Sequence, residues 1–94
     1  MSWFVYILRC ADDTLYTGWT TDVAARERAH NRGRGAKYTA GRRPVRVVYA
    51  EPCDTRSAAQ RRETEIKRWP RTKKVALLRG RAGSTRAPFP TRGR

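Results

Sequence analysis

The sequence predicts an α/β fold of the α+β type, in which helices flank a small, mainly antiparallel sheet of three strands. Two closely spaced runs rich in aromatic and β-branched residues lie near the N-terminus, and an alternating run lies near the middle. Helix signals follow the second and third runs, and a shorter helical segment comes last. The expected order is β-β-α-β-α-α, and 94 residues give room for one domain.

The first two strands are expected to form a hairpin. The run WFVYILRC, from Trp3 to Cys10, is continuous and apolar, as in a strand buried on both faces, and the sequence ADD after it predicts a turn. Thr14 to Gly18 then forms the second strand. Because side chains alternate along a strand, Tyr6 shares a face with Leu8, and Tyr16 shares it too if the hairpin register allows.

The first helix is predicted from Val23 to His30, because Thr20-Thr21-Asp22 is typical of a helix N-terminus. Arg26 and His30 are four residues apart, so they project from the same side of this helix. The segment from Asn31 to Gly35 ends the helix with residues that tolerate positive φ, and a loop follows.

The third strand is predicted from Pro44 to Glu51, where the residues alternate. The residues expected on one of its faces are Val45, Val47 and Tyr49. A second helix should begin after a cap at Asp54 or Thr55 and end near Trp69, before Pro70.

A last short helix is predicted from Lys73 to Arg79. The sequence from residue 80 onward is rich in Gly, Pro, Ser and Arg and has almost no apolar residues. This composition predicts a disordered basic tail over residues 80–94. The folded domain should therefore comprise residues 1–79.

The charge balance indicates a polyanionic partner. Lysine and arginine together number 22 against 8 acidic residues, which gives a formal net charge of +14. Nucleic acid is the usual partner of so basic a domain. An arginine-rich proteome would also raise the arginine content, but it would not explain the shortage of acidic residues.

Cysteine usage and hydropathy indicate the compartment. Cys10 and Cys53 lack metal-binding spacing, and free thiols in a reducing cytoplasm are favoured over a disulfide. The N-terminal run lacks the basic segment of a signal peptide, and no run approaches the ~20 apolar residues that a membrane span needs. We therefore expect a cytoplasmic protein without a membrane partner.

One acidic residue of the second helix lies where an apolar residue is expected. Glu63 falls on the stripe formed by Ala59, Ile66 and Trp69, whereas Glu65 points elsewhere. A carboxylate on a core-facing stripe is costly unless a cation or hydrogen-bond donors compensate it. Two interpretations are open: an arginine–glutamate clamp between helices, and a ligand for a hard metal ion such as Mg²⁺.

Four short motifs occur in an order that resembles the GIY-YIG nuclease domain, above all its small stand-alone bacterial members. They are Val5-Tyr6-Ile7, Tyr16-Thr17-Gly18, Arg26-Glu27-Arg28-Ala29-His30-Asn31 and Arg62-Glu63. Each motif is weak alone, but the four together are specific, and the resemblance covers residues 3 to about 78. Two differences stand out: the glycine of the first motif is missing, and Thr17 replaces the isoleucine of the second.

The resemblance implies a catalytic set and one divalent metal ion. Tyr6 and Tyr16 match the two motif tyrosines, Arg26 matches the catalytic arginine, and His30 matches the histidine one turn later. Glu63 matches the carboxylate that binds a single Mg²⁺ or Mn²⁺ ion. The late asparagine of some family members has no counterpart here.

These residue types suit phosphodiester hydrolysis. A metal ion on Glu63 would polarise a phosphate oxygen, and Arg26 can donate two parallel hydrogen bonds to the phosphate. Tyr6 is expected to be the base, with a pKa lowered by the strongly positive site, while Tyr16 orients and His30 carries protons. His30 is the rival base, because its ordinary pKa is already near neutrality.

A rim of basic and aromatic residues is expected to contact nucleic acid. Its members are Trp19, Arg32, Arg34, Lys37 and Tyr38. The basic members would track phosphates, whereas for Trp19 both base stacking and packing within the fold are open.

The sequence and the resemblance together predict a metal-dependent endonuclease that hydrolyses DNA with little sequence selectivity. Arginine contacts with phosphate carry no sequence information, so selectivity should come from DNA shape, such as branches or single strands. The resemblance suggests a role in DNA repair or recombination. The alternative is a non-catalytic module that binds DNA or RNA, and the oligomeric state is open.

Overall fold

A three-stranded antiparallel sheet forms the centre of the domain, as the sequence predicts. In the computed structural model, which describes residues 2–82, the strands lie in the order β2-β1-β3. They are β1 (Trp3–Arg9), β2 (Leu15–Thr20) and β3 (Arg46–Cys53). The apolar and aromatic run from Trp3 to Leu8 fits this position, because β1 is the central strand and is covered on both faces.

The described part of the chain has four helices, one more than the sequence predicts. The expected helices are α1 (Val23–Asn31), α3 (Arg56–Lys67) and α4 (Arg71–Ala82). The additional one is α2 (Lys37–Ala40), in a segment expected to be a loop. That expectation is wrong because a single turn without a side-chain cap is too short to show a periodic pattern.

The capping predictions for α1 and α3 are confirmed. Asp22 Oδ1 accepts a hydrogen bond of 3.0 Å from the backbone N–H of Ala25 at the start of α1. At the start of α3, Thr55 rather than Asp54 caps the helix, and its Oγ1 accepts a bond of 3.0 Å from Ala58. Each bond satisfies an amide that the first helical turn leaves without a partner.

The last helix is longer than the sequence predicts. It begins at Arg71 because the Pro70 carbonyl accepts hydrogen bonds from the N–H groups of Lys73, at 3.0 Å, and Lys74, at 3.2 Å. It continues to Ala82, past the expected boundary between domain and tail. The rest of the expected tail, residues 83–94, lies outside the described residues, so its disorder stays a prediction.

The hairpin register places the two motif tyrosines on one face of the sheet, as expected. Tyr6 pairs with Gly18, and Leu8 pairs with Tyr16. The side chains of Tyr6, Leu8 and Tyr16 pack together with Val23 of α1. The opposite face of β1 packs against α3 and α4. The sheet therefore has one face under α1 and another under α3 and α4.

A β-bulge changes the expected alternation in β3. Ile7 pairs with Tyr49 and Leu8 pairs with Val47, so Val48 is the extra residue of the bulge. The expected grouping of Val47 with Tyr49 is therefore wrong, since Val47 packs on the α1 face and Tyr49 on the α3 face. A bulge depends on the neighbouring strand, so the sequence of β3 alone does not reveal it.

Two side chains of α1 attach this helix to β3. Asn31 Oδ1 accepts a bond of 2.7 Å from the N–H of Val45, and Asn31 Nδ2 donates a bond of 3.0 Å to the Val45 carbonyl. Glu27 Oε2 accepts a bond of 2.8 Å from the N–H of Val47, next to the bulge. These bonds fix α1 over the sheet, and with it the α1 side chains of the site.

The two cysteines are free thiols, as expected. Cys10 packs on the α1 face of the sheet and Cys53 packs on the α3 face, so the sheet separates them. None of the helices within residues 2–82 is long and apolar enough to cross a membrane.

Candidate active site

A cleft of about 400 Å³ opens beside the edge strand β2. Side chains from both β1 and β2, from the turn after β2, and from α1 and α3 form its walls. The lining residues are Tyr6, Tyr16, Gly18, Trp19, Thr20, Thr21, Arg26 and Glu63. Four of the five residues that the sequence analysis assigns to catalysis therefore line one cleft.

Gly18 allows the Tyr6 side chain to cross the edge strand. A Cβ atom at this position would lie 2.6 Å from Tyr6 Oη and 3.2 Å from Tyr16 Cε2. Neither tyrosine could then keep its position. The glycine of the second motif therefore allows a close approach and brings the Tyr6 hydroxyl to the cleft wall.

His30, the fifth residue of the expected set, lies behind Tyr6 and is fully buried. Its Nε2 is 2.9 Å from Tyr6 Oη, and its Nδ1 is 2.7 Å from Thr39 Oγ1. The Thr39 hydroxyl in turn donates a bond of 3.1 Å to the Ala36 carbonyl. A continuous chain of three hydrogen bonds thus runs from the cleft into the core.

The glycines after α1 have different physical roles. Gly33 has a φ of +82°, the left-handed conformation expected for this segment. Gly35 does not adopt this conformation. A Cβ atom at Gly35 would lie 2.1 Å from His30 Nδ1, so this glycine leaves room for the imidazole.

Burial sets the protonation states of Tyr6 and His30. Removal from water raises the pKa of Tyr6, Tyr16 adds to that rise, and the Arg26 guanidinium acts more weakly in the opposite direction. The expectation that the positive site lowers this pKa is therefore wrong. Removal from water, followed by the Arg26 charge, lowers the pKa of His30, so the imidazole is neutral at neutral pH.

Glu63 lies on the part of α3 that faces the cleft, with its side chain 18% exposed. Lys67, one turn later on the same helix, is 3.3 Å from the carboxylate. An arginine–glutamate clamp is present nearby, but it joins Arg62 of α3 to Glu51 of β3 at 2.8 Å. The interpretation of Glu63 as part of an arginine–glutamate clamp between helices is therefore wrong, and the Glu63 carboxylate lies in the cleft.

The donor set of the cleft fits one hard cation. Within residues 2–82 no group of three or more His, Cys, Asp or Glu side chains could hold a metal ion, which excludes a closed zinc-type cage there. Mg²⁺ is commonly held by one or two carboxylates and keeps several waters. Glu63 supplies such a carboxylate, next to the polar side chains of Tyr6 and Thr20 in the lining.

The expected nucleic-acid rim is divided in the structure. Trp19 lines the cleft and also packs on Trp3, with 5.9 Å between ring centroids. Tyr38 is 39% exposed, and its ring stacks on that of Tyr16 with 5.8 Å between centroids. Arg42 Cζ lies over the Tyr38 ring, 4.0 Å from its centroid. The other three expected residues are exposed in the segment from the end of α1 to α2, outside the cleft: Arg32, Arg34 and Lys37.

Comparison with known proteins agrees with this geometry. Residues 2–76 match the GIY-YIG catalytic domain. The chain belongs to the GIY-YIG family. Membership in this family indicates a nuclease and therefore a nucleic-acid substrate.

This chain covers most of the length of the relatives and solved structures that it matches. A UPF0213 protein of Staphylococcus aureus is 55% identical over 80 residues, which cover 85% of this chain and 98% of the relative. The solution structure of a UPF0213 protein from Bacillus halodurans is 44% identical, with a TM-score of 0.58 over 89% of both chains. A second solution structure, from E. faecalis, is 36% identical, with a TM-score of 0.62 over 96% of both.

Sequence reasoning missed several residues of this GIY-YIG site. Thr39 and Gly35 contact His30 from the segment after α1, and Lys67 contacts Glu63. The lysine could have been found, because residues four apart on a helix are neighbours. The contacts of Thr39 and Gly35 depend on how the loop and α2 fold back, so no spacing rule shows them.

The departure from the second family motif has a structural consequence. Thr17, which stands where the motif has isoleucine, is 3% exposed on the side of β2 away from Tyr16 and Gly18. Its Oγ1 has no hydrogen-bond partner within the described residues. An unpaired buried hydroxyl destabilises the folded state.

Proposed function

We propose that this protein is a metal-dependent endonuclease that hydrolyses phosphodiester bonds of DNA. The observation that carries the proposal is the cleft in which Tyr6, Tyr16, Arg26 and Glu63 meet. These residues come from four separate elements, β1, β2, α1 and α3. A cation, a carboxylate and two phenols around one cavity suit a phosphodiester better than a neutral ligand.

Arg26 is assigned to the phosphate. Its side chain is exposed at the cleft. A guanidinium is charged at every relevant pH and can donate two parallel hydrogen bonds to a phosphate, which stabilises the negative charge that develops during hydrolysis.

Tyr6 is assigned to the attacking water, with His30 as its proton acceptor. Because burial raises the pKa of Tyr6, the phenol is protonated at rest and cannot act as a free phenolate. It can accept a proton from water while its own proton moves 2.9 Å away to His30 Nε2. The proton held on His30 afterwards returns through Tyr6 to solvent. His30 itself is shielded from the cleft and acts through the phenol.

Glu63 is the residue that would hold the metal ion, Mg²⁺ or Mn²⁺. When bound, one such ion supplies Lewis-acid polarisation of the phosphate and stabilises the leaving oxygen. The Lys67 ammonium, 3.3 Å away, neutralises the carboxylate in the absence of a metal ion.

The substrate preference follows from what contacts the nucleic acid. The exposed basic residues between α1 and α2 reach phosphates, and phosphate contacts carry no sequence information. We therefore assign the enzyme to DNA selected by shape, such as branched or single-stranded DNA, in repair or recombination. We assign the exposed Tyr38 to the same nucleic-acid contact surface, where a tyrosine hydroxyl can bind a phosphate.

A non-catalytic module that binds DNA or RNA is the second candidate, and the net charge of +14 favours it. This candidate does not account for Glu63, because a carboxylate in a phosphate-binding cleft weakens binding unless a cation lies between them. The two candidates differ in whether phosphodiester bonds are cut.

A cleavage assay separates them. The protein is incubated with labelled linear, nicked, branched and single-stranded DNA and with structured RNA, each with Mg²⁺, with Mn²⁺ or with a chelator. The expected result is cleavage that needs the metal ion, is faster on branched or single-stranded DNA and is lost in Arg26→Ala. Tight binding without cleavage under every condition would favour the binding module.

A further inference from the structure

We propose that Thr39 is a positioning residue that fixes His30 in the tautomer with the proton on Nδ1, so that Nε2 faces Tyr6 as an acceptor. Thr39 does not line the cleft and has no exposed atoms. It acts on the site only through the imidazole, from the turn of α2 that the sequence does not indicate.

The direction of the hydrogen-bond chain follows from counting protons. A threonine hydroxyl has one proton, and a backbone carbonyl can only accept. Thr39 Oγ1 donates its proton to the Ala36 carbonyl at 3.1 Å, so it can only accept from His30 Nδ1, 2.7 Å away. The proton of the neutral imidazole therefore lies on Nδ1, and Nε2 carries the lone pair.

The opposite tautomer makes fewer bonds in the same space. A proton on Nε2 would turn Nδ1 into an acceptor, so Thr39 would have to donate to it and abandon the Ala36 carbonyl. The Tyr6 hydroxyl would lose its acceptor at 2.9 Å and become the acceptor itself. The observed distances satisfy all three links only when the chain runs from Tyr6 to His30 to Thr39 to Ala36.

The surroundings hold the imidazole in this position. The backbone at Gly35 packs so closely on the ring that a Cβ atom there would lie 2.1 Å from Nδ1. The Tyr16 ring contacts the imidazole edge-on, with centroids 5.2 Å apart. The ring is fully buried, so water does not replace Thr39 as its partner.

The direction of the hydrogen-bond chain, from Tyr6 to Ala36, suits the proton transfer assigned to Tyr6. This part of the inference rests on the proposed function. A proton that leaves Tyr6 Oη arrives at an unprotonated Nε2, and the resulting imidazolium donates to Tyr6 from Nε2 and to Thr39 from Nδ1. Neither Thr39 nor the backbone has to move. With the other tautomer Nε2 is already protonated and cannot accept.

The chain has a single histidine, which makes the tautomer directly measurable. Protein labelled with ¹⁵N-histidine is studied by long-range ¹H–¹⁵N correlation at neutral pH, without metal ion or DNA. The expected spectrum shows a protonated Nδ1 and an unprotonated Nε2. A spectrum with a protonated Nε2 in the wild-type protein overturns the proposal, whether or not the protein cuts DNA.

Variants test whether Thr39 is the cause. In Thr39→Val the methyl group replaces the hydroxyl at equal size, and the signals should shift towards the Nε2-protonated form or a mixture. Thr39→Ser should restore the wild-type pattern, and Thr17→Val, at the other buried threonine, should leave it unchanged. A Thr39→Val spectrum identical to the wild type overturns the proposal, and if that variant does not fold, the wild-type spectrum still decides.

Kinetics give a second readout. Thr39→Val should lower kcat by at least ~10-fold with KM for DNA unchanged, and Thr39→Ser should recover most of it. A change in KM alone would show a structural role and would overturn the positioning role. If the wild-type protein cuts no DNA, the proposed function fails while the tautomer experiment still stands.

Discussion

Within the described residues, two threonines are buried, and their hydroxyl groups differ in hydrogen bonding. Thr39, in the α1 region, is fully buried and bonded on both sides, to His30 and to Ala36. Thr17, on β2 on the side away from Tyr16, is 3% exposed and has no partner among the described residues. The residue type and the burial are the same, and only the hydrogen bonding differs.

The two threonines also lie on different sides of the sheet, which differ in the polar groups that they bury. Under α1, burial of polar groups destabilises the folded state, and the hydrogen bonds of the chain from Tyr6 to Ala36 offset this effect. On the face under α3 and α4, Tyr49 donates to Glu51, but Thr17 Oγ1 lies among apolar side chains and has no acceptor among the described residues. Thr17, where the family motif has isoleucine, is therefore a defect, whereas Thr39 is part of the site.

The largest expected effect comes from filling the space beside His30. Gly35→Ala would place a methyl group 2.1 Å from His30 Nδ1, so the ring must leave its position. We expect the free energy of unfolding to fall by about 3 kcal/mol, as in overpacked cores. Urea denaturation of the wild type and of Gly35→Ala measures this change in the free energy of unfolding.

Gly41→Ala is the matched control for this prediction. A Cβ atom at Gly41 has no neighbour within 4 Å, so the change should stay within about 0.5 kcal/mol. Equal stability losses at Gly35 and Gly41 would show that the imidazole is not held by the loop.

The second effect is expected at Thr39. Thr39→Val removes the hydrogen-bond partner of His30 Nδ1 and leaves this buried ring nitrogen without a partner in either tautomer. The free energy of unfolding should fall by about 2 kcal/mol. Chemical denaturation of the wild type, Thr39→Val and Thr39→Ser measures it, and a stable valine variant would mean that the bonds to Thr39 contribute nothing net.

The third effect has the opposite sign. Thr17→Val replaces an unpaired buried hydroxyl by a methyl group of the same size. We expect stability to rise by about 1 kcal/mol and cleavage to stay unchanged, because Thr17 does not line the cleft. The same denaturation series checks it. Destabilisation by Thr17→Val would remove the contrast between the two threonines.

The smallest effect is a pH dependence of stability. The folded state lowers the pKa of His30, because burial disfavours the charged imidazole and the Arg26 charge acts in the same direction. The unfolded chain therefore binds a proton more readily, so stability is complete above the ordinary pKa of about 6.5 and falls as the pH drops below it. Denaturation at pH 7 and pH 5.5 measures the fall, and a flat profile would contradict the lowered pKa.

Local patterns in the sequence predict most of the fold. The caps at Asp22 and Thr55, the apolar run of β1 and the turn after it are properties of short segments, and the structure confirms them. The bulge opposite Ile7 and the single turn of α2 were not predictable. The first depends on the register of two strands, and the second has Ala36 at its N-cap, which offers no capping side chain.

In the site, too, the sequence predicts the members of local motifs but not the contacts that depend on the packed chain. The order of the motifs was enough to group Tyr6, Tyr16, Arg26 and Glu63, and the structure places all four in the cleft. The sequence also pointed to a lowered Tyr6 pKa from the surrounding charges, but burial outweighs those charges. Burial and the Thr39 contact are properties of the packed chain, which no spacing rule contains.

The central claim is that Glu63 serves catalysis, and a matched pair of substitutions on α3 tests it most directly. Glu63 lines the cleft, whereas Glu65 is more exposed and pairs with Arg62 at 3.0 Å. Cleavage and binding of branched DNA are measured with Mg²⁺ and with Mn²⁺ for Glu63→Gln and Glu65→Gln. We expect Glu63→Gln to bind DNA but to cut it at least ~100-fold more slowly, and Glu65→Gln to cut like the wild type. A Glu63→Gln variant that cuts at the wild-type rate would contradict the account.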